Sequence, residues 1–204
     1  DYHRSTASVA TPSSVTELEF LRMVLHYEMV LGIYAAKLSL LSRNPSSVEF
    51  TDDLSVNASD WATFGIAAEG HHFTITSFEV TILKVERAHI GWRESNSIKC
   101  FSDLDSTIGV GDIDGTVALD CCRSVMLVHG DLIPFDGTCK EGSTIRCEEG
   151  GKRWYIDGRL IASMDQSDKG VPSVASEMGT YALPTISAKG SFTVSNVEYN
   201  LLQA

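Results

Sequence analysis

The segment GSTIRCEEGGKRWYIDGRLI, residues 142–161, decides the fold class of this chain because two turns follow one another within it. Apolar residues alternate with polar ones across 144–148 and again across 153–157, which is the period-2 pattern of half-buried strands. Gly150–Gly151 supplies the positive φ angles that a tight hairpin needs, and Asp157–Gly158 makes a second turn. The segment therefore predicts a meander of antiparallel strands.

Short alternating segments separated by Gly, Asp and Asn continue from about Val48 to the C-terminus. This spacing is typical of an all-β sandwich or jelly roll. No helical period appears after residue 45, and no internal repeat is evident. The predicted strands cover residues 48–50, 54–57, 61–67, 73–84, 88–93, 116–120, 124–128, 143–148, 152–157, 160–163, 182–187 and 191–199.

Residues 13–42 carry the pattern of one helix. Thr16 followed by Glu19 matches a capping box, and Asn44–Pro45 predicts the end of the helix. Apolar residues cover most of its faces, so we expect it to pack on the β core or to dock a second subunit or larger complex. Charged residues interrupt every apolar run well short of the roughly 20 residues that a membrane span requires.

The predicted organisation has three parts. Residues 1–12 are Ser/Thr-rich and predict a disordered segment. Residues 13–44 contain the N-terminal helix and its end, and residues 45–204 form the β-sandwich domain.

Composition limits the class of function. The chain has 204 residues, 43 % of them hydrophobic and 21 % charged, which suits one soluble domain with a sizeable core. The net charge is −11 and the 16 Lys and Arg are scattered, which argues against direct binding of nucleic acid. Five cysteines without a C-x-x-C pair indicate buried thiols and an intracellular location, in the cytoplasm or in an organelle after removal of a presequence.

An ordered set of segments resembles the motifs of SPRY (B30.2-type) domains over about residues 48–200. The matching segments are FEVTI 78–82 with AHIGW 88–92, IGVGD 108–112 with TVALD 116–120, GSTIRC 142–147, WYIDG 154–158, LPTIS 183–187 and FTVSN 192–196. The family's Asn is replaced by Asp157, and its closing NFG is lost after Asn196. The resemblance places Trp154 in the core and Trp92 near a loop mouth.

This resemblance implies a concanavalin-like antiparallel β-sandwich that acts as a non-catalytic protein-interaction module, as a subunit or scaffold of a larger complex. Such domains grip a peptide or a partner surface with loops at one end of the sandwich. The corresponding loops lie around residues 68–72, 93–97, 111–115 and 129–136. The predicted binding residues are Arg93, Glu94, His129, Asp131, His71 and Phe135, the last as the exposed aromatic of a rigid rim.

Two alternatives remain open. WYIDGRLIAS, residues 154–163, also resembles a strand of laminin-G-like domains, which implies a carbohydrate- or calcium-binding extracellular module with disulfides. The sequon Asn57–Ser59 is a weak hint of secretion. An RNA-associated subunit of a ribonucleoprotein particle would require a basic loop rim on this acidic chain.

The chain lacks the sequence patterns of catalytic and metal sites. There is no G-x-S-x-G elbow, no H-E-x-x-H and no phosphate-binding loop followed by a helix, so no enzyme and no cofactor is predicted. Aspartates at 103, 105, 112 and 114 lack EF-hand spacing, and the vicinal His71–His72 would point to opposite faces of a strand. Vicinal Cys121–Cys122 predicts one inward and one outward thiol.

Overall fold

The computed structural model describes Glu19 and residues 36–41, 45–68, 73–94, 107–148, 150–165 and 182–201. These residues contain eleven strands and a 3₁₀ turn at Pro45–Ser47. The strands are β1 (Ala36–Leu40), β2 (Val48–Asp52), β3 (Ser55–Ala68), β4 (Phe73–Glu94), β5 (Thr116–Asp120), β6 (Val125–Val128), β7 (Asp131–Pro134), β8 (Thr144–Glu148), β9 (Arg153–Ile156), β10 (Arg159–Ser163) and β11 (Ala182–Leu201).

Three long strands, β3, β4 and β11, connect two half-sheets. The first half-sheet has the order β1–β3–β11–β4–β5–β6–β7 and uses the C-terminal parts of β3 and β4. The second has the order β2–β3–β11–β4–β8–β9–β10 and uses their N-terminal parts. Every pairing is antiparallel. Each long strand therefore belongs to both half-sheets.

The long strands bend sharply where one half-sheet passes into the other. Phe78 and Trp92 lie fourteen residues apart on β4, a distance of roughly 46 Å along a straight strand. Their ring centroids are only 5.2 Å apart, so β4 folds back on itself. On β11 the bend occurs at Gly190, where φ is +144° and an added Cβ would lie 2.2 Å from the carbonyl oxygen of Lys84. Only glycine fits this position.

The hydrophobic core fills the space between the half-sheets. Its largest members are fully buried, and aromatic pairs cross from one half-sheet to the other, as in Phe64–Phe192 at a centroid distance of 5.5 Å. Burial of each large apolar side chain contributes about 1.5–3 kcal/mol. Trp154 lies in this core as predicted. Trp92 also points into this core with 0 % exposure, two residues before β4 ends at Glu94.

The predicted fold class, an all-β antiparallel sandwich, is confirmed, and the predicted turns are present. Gly150 and Gly151 have φ angles of +68° and +96°, and Asp157 and Gly158 have +51° and +79°. Several strands predicted as separate pairs are single long strands, because the bends interrupt the alternation without ending the hydrogen-bond ladder.

The predicted helix over residues 13–42 is wrong at its C-terminal end. Residues Ala36–Leu40 form strand β1, with Ala36 and Leu38 buried and Lys37 exposed, and Leu38 lies opposite Ile66 of β3. Pairing to β3 outweighs the local helical pattern at this point. Glu19 has a helical backbone, and the other residues of the predicted helix and of the segment 1–12 lie outside the described residues. No described helix is long and apolar enough to cross a membrane.

Candidate functional site

Four strand ends meet at one end of the first half-sheet. β4 ends at Glu94, β5 begins at Thr116, β6 ends at Val128 and β7 begins at Asp131. Antiparallel pairing places these ends side by side. The connecting turns 111–115 and 129–130 therefore lie next to one another, and we call the surface formed by Glu94, these two turns and Asp131 the loop end.

Backbone and side-chain hydrogen bonds join the parts of the loop end. The Glu94 amide donates to the carbonyl of Gly115 at 2.8 Å, and the Gly115 amide donates to Nδ1 of His129 at 3.0 Å. The Gly130 amide donates to the carbonyl of Gly111 at 2.9 Å. Three segments that are distant in sequence are thereby held in one backbone arrangement.

Three of the predicted binding residues lie at the loop end. Asp131 is exposed, and Glu94 and His129 are half-buried. Because Nδ1 of His129 accepts a backbone hydrogen bond, its ring shapes the turn as well as facing the surface. Asp114, which lies in the predicted loop 111–115, is exposed beside them. The loop end therefore presents mainly carboxylates.

Arg93 and Phe135 are not exposed rim residues, which corrects the sequence prediction. Arg93 is 6 % exposed because it lies on β4 and not in the loop that follows, and burial lowers the pKa of its guanidinium. Phe135 is 8 % exposed and packs in the hydrophobic core. The predicted loop 129–136 is a two-residue turn followed by β7, which carries Phe135 toward the opposite end of the half-sheet. His71 lies outside the described residues.

A segment of residues 107–115, which we call the strap, lies over the outer face of the first half-sheet and ends in a turn of the loop end. The Val110 amide donates to Oγ of Ser187 at 2.9 Å, and Ser187 also shares a hydrogen bond of 2.9 Å with Thr63. Trp61 donates from Nε1 to the carbonyl of Ile108 at 3.0 Å. These bonds attach the strap to β3 and β11.

His89 of β4 is the most central polar side chain under the strap. Its Nδ1 lies 3.1 Å from the carbonyl oxygen of Val110 and 3.6 Å from Oδ2 of Asp112, both in the strap. Its Nε2 lies 3.2 Å from Oδ2 of Asp120, at an angle outside that of a regular hydrogen bond. The ring is fully buried and meets Trp61 edge-on at a centroid distance of 5.0 Å.

Asp120, directly opposite His89 on β5, is a buried carboxylate with several partners. Oδ1 accepts from the amides of Cys122 and Arg123 at 2.8 and 3.0 Å, and Oδ2 accepts from Nε of Arg123 at 2.5 Å. Burial alone would raise the pKa of Asp120, but the contacts with His89 and Arg123 outweigh it and hold the pKa well below its usual range. Asp120 is therefore a charged group in the folded protein.

Sequence reasoning missed His89 and Asp120 as a pair. The polar residues on the outer face of the first half-sheet could have indicated that this face is covered. Thr63, Thr185 and Ser187 are uncharged, and all three are buried. Small hydroxyl side chains at outward positions of several strands are typical of a covered face, since they form hydrogen bonds at little loss of side-chain entropy.

The structure also describes Asp112 and the vicinal cysteines, which stand out in the sequence. Asp112 accepts from the amide of Gly109 at 2.8 Å, and no group of three potential metal ligands occurs in the part of the chain that the structure describes. Cys121 is buried and Cys122 exposed, as predicted, although they lie in a turn and not in a strand. A hydrogen bond with Cys139 and burial raise the pKa of the Cys121 thiol.

Comparison with known proteins identifies the architecture. No protein-family model matches the sequence, and no curated protein matches it. Among solved structures, a human SPRY domain superposes with a TM-score of 0.50 at 10 % identity, over 72 % of this chain and 94 % of that one. The fold is a SPRY-type β-sandwich. The SPRY domain of human HERC1 is also similar, with a TM-score of 0.49 at 8 % identity over 78 % of this chain and 98 % of that one.

At these identities the likeness to SPRY structures concerns the fold, and the loop surfaces are this chain's own. The SPRY-type frame explains why β4, β5, β6 and β7 bring their ends to one edge of the half-sheet. The residues at this edge are those of the loop end described above.

Proposed function

We propose that this chain is a non-catalytic protein-interaction module that binds a peptide or a partner surface through the loop end. The observation that carries the proposal is the convergence of three sequence-distant segments, joined by the hydrogen bonds among Glu94, Gly111, Gly115, His129 and Gly130. Binding surfaces are commonly built in this way, from loops that a rigid scaffold positions.

The order of the loop end supports recognition of a partner. Loops that are already fixed lose little conformational entropy on binding, so more of the contact energy becomes affinity. The exposed carboxylates of Asp114 and Asp131 provide directional polar contacts at the surface. His129 accepts a hydrogen bond from the Gly115 amide, which supports a structural role for its imidazole and not that of a general base.

The proposal extends to a role as a subunit or scaffold of a larger intracellular complex. Its support is the helical pattern of residues 13–35, whose apolar faces exceed what one face of the sandwich can cover. This part of the proposal rests on the sequence, since those residues other than Glu19 lie outside the described structure.

The test uses three versions of the intact chain as baits, with quantitative mass spectrometry of the retained proteins. The loop-end variant carries Asp114→Lys and Asp131→Lys, both at exposed positions. The control variant carries Glu49→Lys and Asp136→Lys, which make the same change of charge at exposed positions away from the loop end. Circular dichroism verifies that all three are folded.

A protein retained by the wild type and by the control variant, but lost with the loop-end variant, supports the proposal. Reversing two carboxylates at the contact surface is expected to weaken such a complex by at least about tenfold. Retention of every partner by the loop-end variant, or equal loss with the control variant, contradicts it.

A further inference from the structure

Two cysteines of the described residues lie in contact with each other without forming a disulfide. The Cys121 thiol shares a hydrogen bond with the Cys139 thiol, and both are free cysteines. Cys121 belongs to the hydrophobic core, and Cys139 packs against that core from its edge. The two sulfur atoms are therefore neighbours in the fold, although their residues are 18 positions apart in the sequence.

Backbone hydrogen bonds place the two cysteine-bearing segments side by side. The Cys121 amide donates to the carbonyl of Ala88 at 2.9 Å, which holds the turn after β5 against β4. The Phe135 amide donates to the carbonyl of Ser124, in the same turn, at 3.2 Å. The connection from β7 to β8 therefore begins beside the turn that carries Cys121.

Cys139 lies in the part of this connection that is open to solvent and free of strand pairing. Its side chain is half-buried, and the residues on either side of it are exposed. The connection returns to β4 only at Gly142, whose amide donates to the carbonyl of Ile82 at 2.7 Å. A small molecule can thus reach Cys139, and a shift of its backbone breaks no ladder hydrogen bond.

The other two described cysteines are less suited to pair with Cys121. The exposed Cys122 thiol donates to the carbonyl of Glu86 at 3.4 Å, and a bond between adjacent cysteines would distort the peptide unit that joins them. Cys147 is fully buried and held in the ladder of β8 opposite Phe78. Cys139 combines contact with Cys121, access to solvent and freedom to move.

We propose that Cys121 and Cys139 are a reversible redox pair, which a hydroperoxide oxidises to a disulfide and a dithiol reduces. The disulfide ties the turn after β5 to the connection between β7 and β8. Disulfides of intracellular proteins are usually transient and redox-sensing, as a pair that is reduced at rest would be. Both segments follow the ends of their strands, whereas the loop end lies where β5 and β7 begin, so this site is separate from the proposed binding surface.

The oxidation takes place in two steps, and Cys139 reacts first because it is the accessible member. Its sulfur attacks one oxygen of the hydroperoxide, so that an S–O bond forms and the O–O bond breaks. The product is a sulfenic acid, and the leaving oxygen takes the thiol proton. The Cys121 sulfur then attacks the Cys139 sulfur. The S–S bond forms, the S–O bond breaks, and the hydroxide leaves as water with the Cys121 proton. With hydrogen peroxide, two thiols give one disulfide and two waters.

Mass spectrometry of tryptic peptides tests the pairing in the intact, folded chain. Trypsin places Cys139 alone in one peptide and Cys121 in another, together with Cys100 and Cys122. The double variant Cys100→Ser/Cys122→Ser is therefore treated beside the wild type, because it leaves Cys121 as the only cysteine of its peptide. Both proteins are exposed to hydrogen peroxide, and the remaining thiols are alkylated before digestion.

A peptide pair that joins Cys121 to Cys139 is expected as the main linked product, and it should disappear on treatment with dithiothreitol. The proposal is overturned if no intramolecular link forms, if the main link uses Cys147, or if the wild type joins Cys121 to Cys122 instead.

Thermal denaturation of the oxidised and reduced double variant tests whether the bond fits the native contact. The disulfide closes a loop of 18 residues in the unfolded chain, so oxidation is expected to raise Tm by roughly 5–10 °C. The matched control adds Cys139→Ser, a substitution at a half-buried residue outside the strands, and its Tm should not respond to peroxide. A Tm that stays or falls when the pair is linked, or an equal rise in the control, overturns the proposal.

Discussion

The outer faces of the two half-sheets both carry polar side chains, but they differ in their access to water. On the first half-sheet Thr63, His89 and Ser187 are at most 1 % exposed, because the strap covers them. On the second half-sheet Arg146 lies among three carboxylates at the surface, and its side chain is 33 % exposed. The same alternation along a strand thus produces a buried polar layer on one half-sheet and a hydrated one on the other.

This difference decides how much each polar contact contributes to stability. A hydrogen bond in the buried layer has no water to replace it, so its loss leaves an unsatisfied group. An ion pair on the open face is screened by solvent and salt, and each of its members has water as an alternative partner. Substitutions on the two faces should therefore differ severalfold in effect.

Asp120→Ala should have the largest effect, a loss of about 3–5 kcal/mol in the free energy of unfolding. The substitution removes the partner of the buried His89 together with the acceptor for two backbone amides in the turn after β5. Denaturation in urea at neutral pH measures the effect. A loss below about 1 kcal/mol would show that the buried layer contributes no more than an exposed one.

The pH dependence of this difference provides a control. The pKa of Asp120 is lower in the folded protein than in the unfolded chain. Its contribution to the free energy of unfolding is therefore fully present above the unfolded pKa of about 4, and it is lost as the pH falls through the lower folded pKa. The gap in stability between wild type and Asp120→Ala should narrow below about pH 4. If the difference in stability between wild type and Asp120→Ala stayed constant on acidification, it would contradict the lowered pKa of Asp120.

Ser187→Ala should destabilise by about 1–2 kcal/mol, because the buried Val110 amide and the Thr63 hydroxyl each lose a hydrogen-bond partner. Ser191→Ala on the same strand is the matched control. Ser191 bonds to Asn57 at the exposed surface, so its removal should change stability by less than about 0.5 kcal/mol. Equal effects of the two substitutions in thermal denaturation would remove the distinction between the faces.

Arg146→Met should have the smallest effect, about 1 kcal/mol or less. Its guanidinium lies 2.7 Å from Glu148, 3.2 Å from Glu198 and 3.4 Å from Glu79, but this network is open to solvent. The loss should shrink further in about 1 M salt, where charges are screened within roughly 3 Å. A larger loss that is insensitive to salt would show that this face is covered as well.

The sequence predicts the inner face of the sandwich well. Alternation identifies which residues of β4, β8 and β9 point inward, and Gly150–Gly151 and Asp157–Gly158 specify the hairpins because positive φ angles favour such residues. These signals are local, so they need no knowledge of the rest of the chain. Ala36–Leu40 is predicted as helix because its apolar residues fit both periods. The local pattern does not show that β3 will pair with this segment.

The outer face is harder to predict because alternation identifies a face without telling whether that face meets water. Arg93 is predicted at the surface but is buried, because β4 continues through it to Glu94. Phe135 is predicted on a long loop, but the turn at His129–Gly130 has two residues and β7 follows it directly. Glu94, His129 and Asp131 do lie at the loop end, because each of them is at or beside a strand end.

The central position of β11 has a consequence for synthesis. β11 lies between β3 and β4 in both half-sheets, yet it begins at Ala182, 88 positions after β4 ends at Glu94. At about 5–20 residues per second, a ribosome needs roughly 4 to 18 seconds to add that length. Throughout this interval β3 and β4 each have an open edge where β11 will pair, and open edges attract other strands. A nascent chain therefore carries its greatest risk of association just before the strand that closes the sheet emerges.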